Sequence, residues 1–556
     1  MRPLLSKINK NDEYKFIRGV NLGGWLVMER YITPYSFSIT DCHQRGDFCW
    51  YPGQIDAPPN APLCNITECQ AALSKNVFGA TDYPLDEWHL GLAFQGSNQT
   101  QHGEQWLNSH FAHFLQKSDL IALKKAGISH VRVPLPHWIL GNVDYDNDEP
   151  WIVGDRWKYF LRMCGWAREI GLEVWPNIHT APGSQNGFDN SGQQNSVKTC
   201  GGWSDNPHNI QRSLNVLLEV AAAIKRANIT DVVTGFGLLN EPFGDCSRDR
   251  YKQFLQDGMN IIRSVLGDDI GIYMSDLFQA HLFNDGTWGL DPDTFGNTYL
   301  DSHYYNIFAQ AVRVMSPQEH IDLVCHPHDG EDVTDCCFED APHNTIPSQG
   351  TQRIVAEWSG AFDAMPGEVL KPIMKSIYEY GVAPLLNRTI TPERKSFLTK
   401  FIQAQIVSYE TAAIPGLAHG WFYWNFKMEG GAYLEWDLLK GVEQGWFPEI
   451  APPNVPSERL YGTCMEIRER TNETQDIVHA YPWGDPAYWR GPLVNESDSL
   501  RGDDDLQQYQ PINHHYLSGI KNQVAMIALA ILVFIGVRRY QVRKNSKKWQ
   551  YAEIQS

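Results

Sequence analysis

Short apolar runs alternate with longer stretches of helical periodicity along most of the chain, and this alternation constrains the fold most strongly. Parallel strands joined by crossover helices produce such a pattern. One helical stretch, 210–226, places on a single face Ile210, Leu214, Leu217, Ala221 and Ile224. Eight apolar runs have the length of strands: 18–22, 130–133, 173–178, 235–239, 271–275, 299–303, 353–356 and 420–424. Eight such units predict an α/β fold, a closed (β/α)8 TIM barrel with loop insertions.

The 556 residues divide into one large domain and short flanking segments. A barrel with insertions can reach this size. The segment 41–84 is rich in Cys, Pro and Asn without a sustained period, which predicts a disulfide-stapled insertion. The predicted segments are an N-terminal segment 1–15, the barrel domain 16–480 with its Cys-rich insertion at about 41–84, an acidic polar stalk 481–515, a transmembrane segment 518–540 and a basic cytosolic tail 541–556.

An uninterrupted apolar stretch at 524–537 predicts a membrane anchor. It is shorter than the roughly 20 residues of a spanning helix, but snorkelling basic side chains and interfacial Tyr516 and Tyr540 can lengthen it. Basic residues after the stretch predict a single pass through the plasma membrane, with the tail in the cytosol and the barrel outside. A buried core helix is the alternative interpretation.

Cysteines and glycosylation sequons indicate passage through an oxidising secretory compartment. The chain has 11 cysteines, and its six sequons begin at Asn65, Asn98, Asn228, Asn387, Asn472 and Asn495. The first residues, MRPLLSKINKNDEYKF, carry charges where a signal peptide has an apolar core. Either the start lies elsewhere or targeting is unconventional.

The odd number of cysteines leaves at least one thiol unpaired. We expect this thiol to be Cys164, because it lies inside an amphipathic helical pattern where it packs as a small apolar side chain. Local pairing of Cys42 with Cys49, and of Cys64 with Cys69, would staple the insertion.

The stretch 325–337 combines cysteines and histidines, which are ligands that suit zinc. In a secreted chain, disulfides are the favoured interpretation, with Cys464 as a candidate partner. We therefore expect neither a metal nor another cofactor.

The formal net charge of -19 argues against a nucleic-acid partner, because a polyanion requires a clustered basic face. The dense basic run, 538–548, lies beyond the apolar stretch. We expect the membrane to be a partner of the C-terminal helix, and we expect the chain to be a monomer.

Polar and acidic residues recur at the predicted strand ends, where a barrel gathers catalytic groups. They are Asn21, Glu29, Arg132, His179, Asn240, Glu241, His303, Tyr305, Glu357 and Trp424. A single one of them could equally be a helix cap or a turn residue. Their joint placement predicts an active site.

Two of these residues fit the requirements of glycoside hydrolysis, which uses one carboxyl to protonate the leaving oxygen and a second at the anomeric carbon. Glu241 follows one apolar run and Glu357 ends another. Asn240 is placed to bond the sugar 2-hydroxyl. A structural salt bridge is the alternative for either glutamate.

Seven segments carry a family resemblance: RGVNLGGWLVMERYITPYSF, HVRVPL, NIHTAPGSQNGFDNSG, GLLNEPFG, DSHYYNIF, VAEWSG and WDLLKGVEQGWFP. Between about residues 16 and 461 the chain resembles the exo-β-1,3-glucanases of glycoside hydrolase family five. The resemblance implies a (β/α)8 fold, retention of anomeric configuration, no metal, and release of glucose from the non-reducing end of β-1,3-glucan. It also implies a β-glucan polysaccharide or oligosaccharide as partner.

The resemblance assigns roles position by position. Glu241 corresponds to the acid/base and Glu357 to the nucleophile. Arg132 and His179 correspond to residues that brace the nucleophile and the sugar. The remaining correspondences are Asn240 to the 2-hydroxyl ligand, His303 and Tyr305 to an element that orients the nucleophile, Glu29 to a glucose-binding carboxylate, Trp424 to a platform under the sugar, and Phe188 and Phe308 to an aromatic pair on the leaving-group side.

The chain also departs from the family pattern. The family usually has Pro and Trp where Arg30 and Tyr31 stand, and the segments 41–84 and 325–347 have no counterpart. The sequence therefore leaves three questions open: whether cleavage is strictly exo, which linkage is preferred, and whether the chain catalyses hydrolysis or transglycosylation. A glucan-binding surface protein with little turnover is the alternative from another functional class.

Overall fold

The computed structural model describes residues 16–33, 36–37, 86–96, 98, 100–141, 149–195, 197–279, 283, 297–307, 315–325, 352–362, 392–411, 420–429 and 434–472. The predicted insertion, stalk, transmembrane segment and tail lie outside these residues, as do the local cysteine pairs. The predicted domain bounds therefore stay predictions. Within the described part of the chain, no helix is long and apolar enough to cross a membrane.

Eight parallel strands close into a barrel in the order β1 to β8, with β8 pairing with β1. The strands are β1 Ile17–Asn21, β2 His130–Leu135, β3 Glu173–Ile178, β4 Gly235–Gly237, β5 Gly271–Ser275, β6 Thr298–Tyr304, β7 Gln352–Trp358 and β8 Gly420–Tyr423. Each coincides with one of the eight apolar runs, so the predicted (β/α)8 barrel is confirmed.

Helices surround the strands in the described residues. They are α1 Glu87–Gly96, α2 Thr100–His113, α3 Lys117–Lys125, α4 Arg156–Ile170, α5 Gly201–Ser204, α6 Pro207–Arg226, α7 Arg248–Leu266, α8 Pro317–Cys325, α9 Pro392–Thr411, α10 Leu438–Gln444, α11 Glu458–Tyr461 and α12 Cys464–Asn472. They cover the outer face of the sheet, which is how a parallel sheet buries its apolar strands.

The helix α6 shows how the sequence sets an element and its packing. Its predicted face is buried at Leu214, Leu217, Ala221 and Ile224. It begins at Pro207, earlier than predicted, because the Asn206 side chain accepts a hydrogen bond from the His208 amide at 3.1 Å. A polar cap followed by proline is a favourable helix start.

A separate cluster of strand side chains fills the barrel interior. Its members are Ile17, Trp175, Tyr273, Ile354, Ala356 and Phe422. Glycines make room for the rings: a Cβ on Gly235 would lie 2.3 Å from the Trp175 ring, and one on Gly237 would lie 2.5 Å from the Tyr273 ring. This packing closes the lower barrel and leaves the polar site at the C-terminal ends of the strands.

Candidate active site

Hydrogen bonds and ion pairs link side chains from most of the strand ends into one buried network. The strand-end residues are Asn21 on β1, Arg132 on β2, His179 after β3, Asn240 and Glu241 after β4, His303 on β6, Tyr305 after β6, Glu357 on β7 and Trp424 after β8. All are buried. The structure thus assembles the residues that the sequence predicted from widely separated positions.

Three side chains hold Glu357. Arg132 Nη1 donates to Oε1 at 2.6 Å, and the Tyr305 hydroxyl donates to Oε2 at 2.8 Å. His303 Nδ1 lies 3.5 Å from Oε2. Burial raises the pKa of the Glu357 carboxyl, and the charges of His303 and Arg132 oppose part of that rise. These contacts favour the ionised form that a nucleophile requires.

Glu241 sits on a left-handed backbone with φ of 43°, a conformation that is uncommon for a residue with a side chain. The loop after β3 fixes it: Asn186 Nδ2 donates to the Glu241 carbonyl at 3.0 Å, and Asn190 Nδ2 donates to Oε2 at 2.5 Å. His303 Nδ1 lies 2.7 Å from Oε1. Such backbone conformations persist where several contacts determine them, often at functional sites.

One carboxylate oxygen from each of Glu241 and Glu357 lies within 4.8 Å of the other, and a His303 nitrogen completes the group. Retaining glycosidases place their two carboxyls about 5–5.5 Å apart, whereas inverting ones leave about 6.5–9.5 Å for a water. The separation suits direct attack by one glutamate combined with proton transfer by the other.

These three side chains also have the spacing of a metal site. Burial lowers the pKa of His303, yet the charges of Glu357 and Asp301 and hydrogen bonds with Asp301 and Glu241 outweigh burial and raise the pKa well above its usual value. An imidazolium donates from both ring nitrogens. In that form His303 is suited to acid–base chemistry with the two glutamates.

Several buried polar atoms around the carboxylates have no hydrogen-bond partner among the described residues, among them Glu29 Oε1, Asn240 Nδ2 and His179 Nε2. Asn240 Oδ1 accepts from Arg132 Nη2 at 2.6 Å, so its amide nitrogen stays available. Buried polar atoms are rarely left unsatisfied. Their grouping here leaves a polar site that hydroxyl groups of a ligand, or ordered water, can fill.

Trp424 supplies an apolar surface beside these atoms. Its ring lies parallel to the His179 ring, with 5.8 Å between centroids and 9° between planes. Gly23 makes room for it, because a Cβ there would lie 2.7 Å from the indole. Burial and the charges of Arg132 and His303 lower the pKa of His179 well below its usual value. A neutral imidazole and an indole thus form one side of the site.

Glu29, Tyr31 and Asp189 form an acidic group near the two catalytic-site glutamates. The Tyr31 hydroxyl donates to Glu29 Oε2. Burial, the charge of Asp189 and the charges of the two site glutamates raise the pKa of Glu29 well above its usual value. Burial and the charge of Asp86 raise the pKa of Asp189 to about 6. Tyr31, one of the positions where the chain departs from the family pattern, therefore contacts Glu29, a residue predicted to bind the sugar.

Phe188 belongs to a row of rings that the sequence did not reveal. It lies 5.7 Å from Phe243, which lies 6.5 Å from Phe278. The predicted partner, Phe308, falls outside the described residues, so that pairing stays a prediction. The Lys198 ammonium lies 5.4 Å from the Phe188 ring.

Sequence reasoning also missed Asn186, Asn190 and Asp301 as individual contacts. The first two lie inside the quoted stretch NIHTAPGSQNGFDNSG, and the third opens DSHYYNIF. The sequence motifs thus identified the segments but not the contacts that these three side chains make. The missing information was spatial, because the partners stand on other strands.

Two disulfides lie among the described residues. Cys200 pairs with Cys246, which ties the loop after β3 to the segment after β4, and Asp245 Oδ1 accepts from the Cys200 amide at 2.7 Å. Cys325 pairs with Cys464, which confirms the candidate pairing and is contrary to the zinc alternative for Cys325. Cys164 is free and buried, as predicted.

Comparison with solved structures supports the fold. A rutinosidase from Aspergillus niger superposes with a TM-score of 0.53 at 15% identity, covering 78% of this chain and 99% of the other. The protein AoRut gives a TM-score of 0.51, also at 15% identity, covering 78% of this chain and 97% of the other. At these identities the likeness concerns the fold alone.

Curated relatives are closer in sequence. A glucan 1,3-beta-glucosidase of Lachancea kluyveri is 27% identical over 464 residues, covering 79% of this chain and 89% of the relative. A glucan 1,3-beta-glucosidase of Candida oleophila is 29% identical over 458 residues, covering 79% and 89%. No family model matches the chain. The predicted resemblance is therefore confirmed in sequence, and the chain is a homologue of proteins named glucan 1,3-beta-glucosidase.

Proposed function

We propose that this chain is a retaining glycoside hydrolase that releases glucose from the non-reducing end of β-1,3-glucan, in cell-wall glucan remodelling or degradation. The observation that carries the proposal is the carboxyl pair Glu241 and Glu357, whose oxygens approach within 4.8 Å. Each glutamate has its own set of donors. The names of the curated relatives supply the substrate class.

In the first step, Glu357 attacks the anomeric carbon and Glu241 protonates the leaving oxygen. Arg132 and Tyr305 donate to the two oxygens of Glu357 and so fix the direction of attack. The bond from carbon to the leaving oxygen breaks as the ester to Glu357 forms. Asn190 holds the second oxygen of Glu241 during this transfer.

In the second step, Glu241 removes a proton from water, which attacks the same carbon and releases Glu357. Two inversions at one carbon give net retention. A sugar acceptor in place of water would give transglycosylation by the same chemistry, so the two outcomes depend on the acceptor rather than on the carboxyl pair.

The terminal glucose is bound by the unsatisfied polar atoms around the carboxylates. Asn240 Nδ2 faces the 2-hydroxyl, while His179 Nε2 and Glu29 Oε1 bind other hydroxyls of the same ring. Trp424 packs beneath the sugar. Phe188, with Phe243 next to it, lies on the leaving-group side and contacts the following glucose unit. This arrangement suits a substrate that combines several hydroxyls with an apolar ring face.

The chain acts outside the cell, anchored by the apolar stretch 524–537 with its tail in the cytosol. The support is the composition of that stretch, the disulfides of the barrel, and the sequons. The sequon asparagines Asn98 and Asn228 are exposed. Enzymatic deglycosylation of the cell-derived protein should increase its gel mobility; an unchanged mobility would contradict this location.

A proton NMR time course of the full chain with a linear β-1,3-glucan tests the activity. Initial release of β-glucose is the expected result, because retention and exo cleavage together produce that anomer first. Initial α-glucose would contradict retention. Oligosaccharides as first products would contradict exo action, and binding without any product would favour a glucan-binding protein.

A further inference from the structure

His303 makes closer contact with Glu241 than with the nucleophile that it was predicted to orient. Its Nδ1 lies 2.7 Å from Glu241 Oε1 and 3.5 Å from Glu357 Oε2. The other ring nitrogen, Nε2, lies 3.2 Å from Asp301 Oδ2. Both nitrogens thus face carboxyl oxygens, and an imidazolium donates to both.

Asp301 is fixed by the neighbouring strand. Its Oδ1 accepts a hydrogen bond from the Ala356 amide of β7 at 3.1 Å, which leaves Oδ2 facing His303. Arg132 Nη2 lies 4.0 Å from the same Oδ2. A carboxylate held in this way fixes the imidazole ring and stabilises its second proton.

Other charged groups around His303 come from each neighbouring strand. Glu241 follows β4, Glu357 lies on β7 and Arg132 on β2, while His179 follows β3. Asp276 follows β5, and burial raises its pKa to about 6. Of the charges that raise the pKa of His303, that of Glu357 contributes most, although burial acts against it.

We propose that His303, fixed by Asp301, stores the proton that Glu241 delivers to the leaving oxygen. This inference rests on the retaining hydrolysis proposed above. His303 acts through Glu241, and Asp301 is a positioning residue for His303. The role differs from orienting Glu357, because it requires a change in the protonation of the imidazole during each turnover.

The proton balance closes over one cycle. With substrate bound, the Nδ1 proton of His303 passes to Glu241 while Glu357 attacks the anomeric carbon, which leaves His303 and Glu241 neutral. Glu357 bonds to the anomeric carbon, the glycosidic bond breaks, and the departing oxygen takes the proton from Glu241. Water then adds to the carbon, the bond to Glu357 breaks, and the water proton passes to Glu241 and back to His303.

The direction of transfer follows from the charge of Glu357. When the ester forms, the largest charge that holds the second proton on His303 disappears. As the bond to carbon forms and that charge is lost, the imidazolium becomes a stronger acid and passes its proton to Glu241, which delivers it to the leaving oxygen. When the ester is hydrolysed, the charge of Glu357 returns and the proton returns to His303.

Nitrogen-15 NMR of the full chain with labelled histidine tests this. The glycosyl-enzyme is trapped with 2,4-dinitrophenyl 2-deoxy-2-fluoro-β-glucoside, and a His303→Gln variant assigns the signal. We expect His303 to be an imidazolium near pH 6 and neutral after trapping. His320 is an internal control, because burial lowers its pKa to about 3 and its signal should be neutral in both states.

The outcomes separate the two proposals. If the glycosyl-enzyme forms on Glu357 and His303 is still an imidazolium, the proposed proton store is overturned and the retaining mechanism is left intact. A His303 that is neutral before trapping would also overturn it. Failure to label Glu357, shown by an unchanged mass, would contradict the retaining mechanism and the proton store with it.

An Asp301→Asn variant gives a kinetic test, because asparagine can keep the contact with Ala356 while offering an N–H to His303 Nε2. We expect the variant to lose kcat/KM on both a β-1,3-glucan oligosaccharide and dinitrophenyl glucoside. The loss on the oligosaccharide should be at least about tenfold larger, because the dinitrophenyl leaving group needs no proton. The alkaline limb should move to lower pH by roughly one unit. Equal losses with an unmoved limb would overturn the proposal.

Discussion

Arg132 and Glu357 form a buried ion pair in which Nη1 lies 2.6 Å from Oε1, while Nη2 of the same guanidinium lies 2.6 Å from Asn240 Oδ1. A third contact joins Nη1 to Asn21 Oδ1 at 2.8 Å. One planar group therefore sets the positions of the proposed nucleophile and of the amide proposed to bind the 2-hydroxyl. Only an arginine presents its donors in this forked arrangement.

Replacing Arg132 should damage catalysis in two separable ways. Arg132→Lys keeps a charge but loses the fork, and we expect kcat/KM on β-1,3-glucan to fall on the order of 100-fold. Arg132→Gln also removes one of the two charges, those of His303 and Arg132, that lower the pKa of Glu357. That pKa should rise, so the acid limb of the pH profile should move to higher pH for Gln and much less for Lys.

Arg168→Gln is the matched control, because Arg168 forms an exposed ion pair with Asp231. Such pairs contribute little. Its activity and pH profile should equal those of the parent chain. If the acid limb of the pH profile is the same in Arg132→Gln and in the parent chain, the proposed effect of the Arg132 charge on the pKa of Glu357 is contradicted.

The two glutamates should respond differently to activated substrates. Glu357→Gln removes the nucleophile, so no glycosyl-enzyme should form with any leaving group. Glu241→Gln removes the proton donor, so dinitrophenyl glucoside should still react and label Glu357, although release of the sugar should be slow. Burst kinetics and mass spectrometry measure both. Equal rescue of the two variants by this substrate would contradict the assigned roles.

Asn190 should position Glu241. Its amide donates to Oε2 at 2.5 Å, and a hydrogen bond to a carboxylate contributes about 1.5–3 kcal/mol. We expect Asn190→Ala to lower kcat/KM on glucan at least roughly tenfold. Asn215→Ala is the control, because Asn215 accepts a hydrogen bond from Gln211 on the exposed surface of α6. A loss shared by both variants would indicate general destabilisation instead.

The strands could be predicted because their length and apolar composition are local properties. Their ends were less accurate. β4 stops at Gly237 rather than at residue 239, since Leu238 makes a single backbone bond to Tyr273 and then leaves the ladder. β7 continues through Glu357 to Trp358. The proposed nucleophile therefore lies within a strand, where backbone pairing fixes it.

The contacts between site residues could not be predicted from the chain alone. His303 pairs with Glu357 across a register shift between β6 and β7, which changes the facing residues by one position. The local amino-acid pattern does not predict such a register shift. The Asn190 contact with Glu241 joins residues 51 positions apart through a loop. The motifs identified the segments, and the fold determined which side chains meet.

Asp437 should make stability depend on pH between about 4 and 7. It caps α10 through a hydrogen bond from the Lys440 amide at 2.8 Å and also accepts from the Met428 amide at 2.9 Å. Burial nevertheless raises its pKa from 3.8 to about 7. The stability that protonated Asp437 gives the folded chain is complete below its pKa in the unfolded chain and is lost as pH rises through its pKa in the folded chain. Between these two pKa values the free energy of unfolding falls by up to roughly 1.4 kcal/mol per pH unit.

Urea unfolding at several pH values measures this slope. Asp437→Asn keeps a good helix cap but does not titrate, so the slope between pH 5 and 7 should become smaller. Asp231→Asn is the control: the hydrogen bond from exposed Arg168 lowers the pKa of Asp231, so it stays ionised in both states across this range. Because other buried carboxyls, such as Asp276, titrate near pH 6, some slope should persist in Asp437→Asn. A slope identical to that of the parent would contradict a protonated Asp437 in the folded chain.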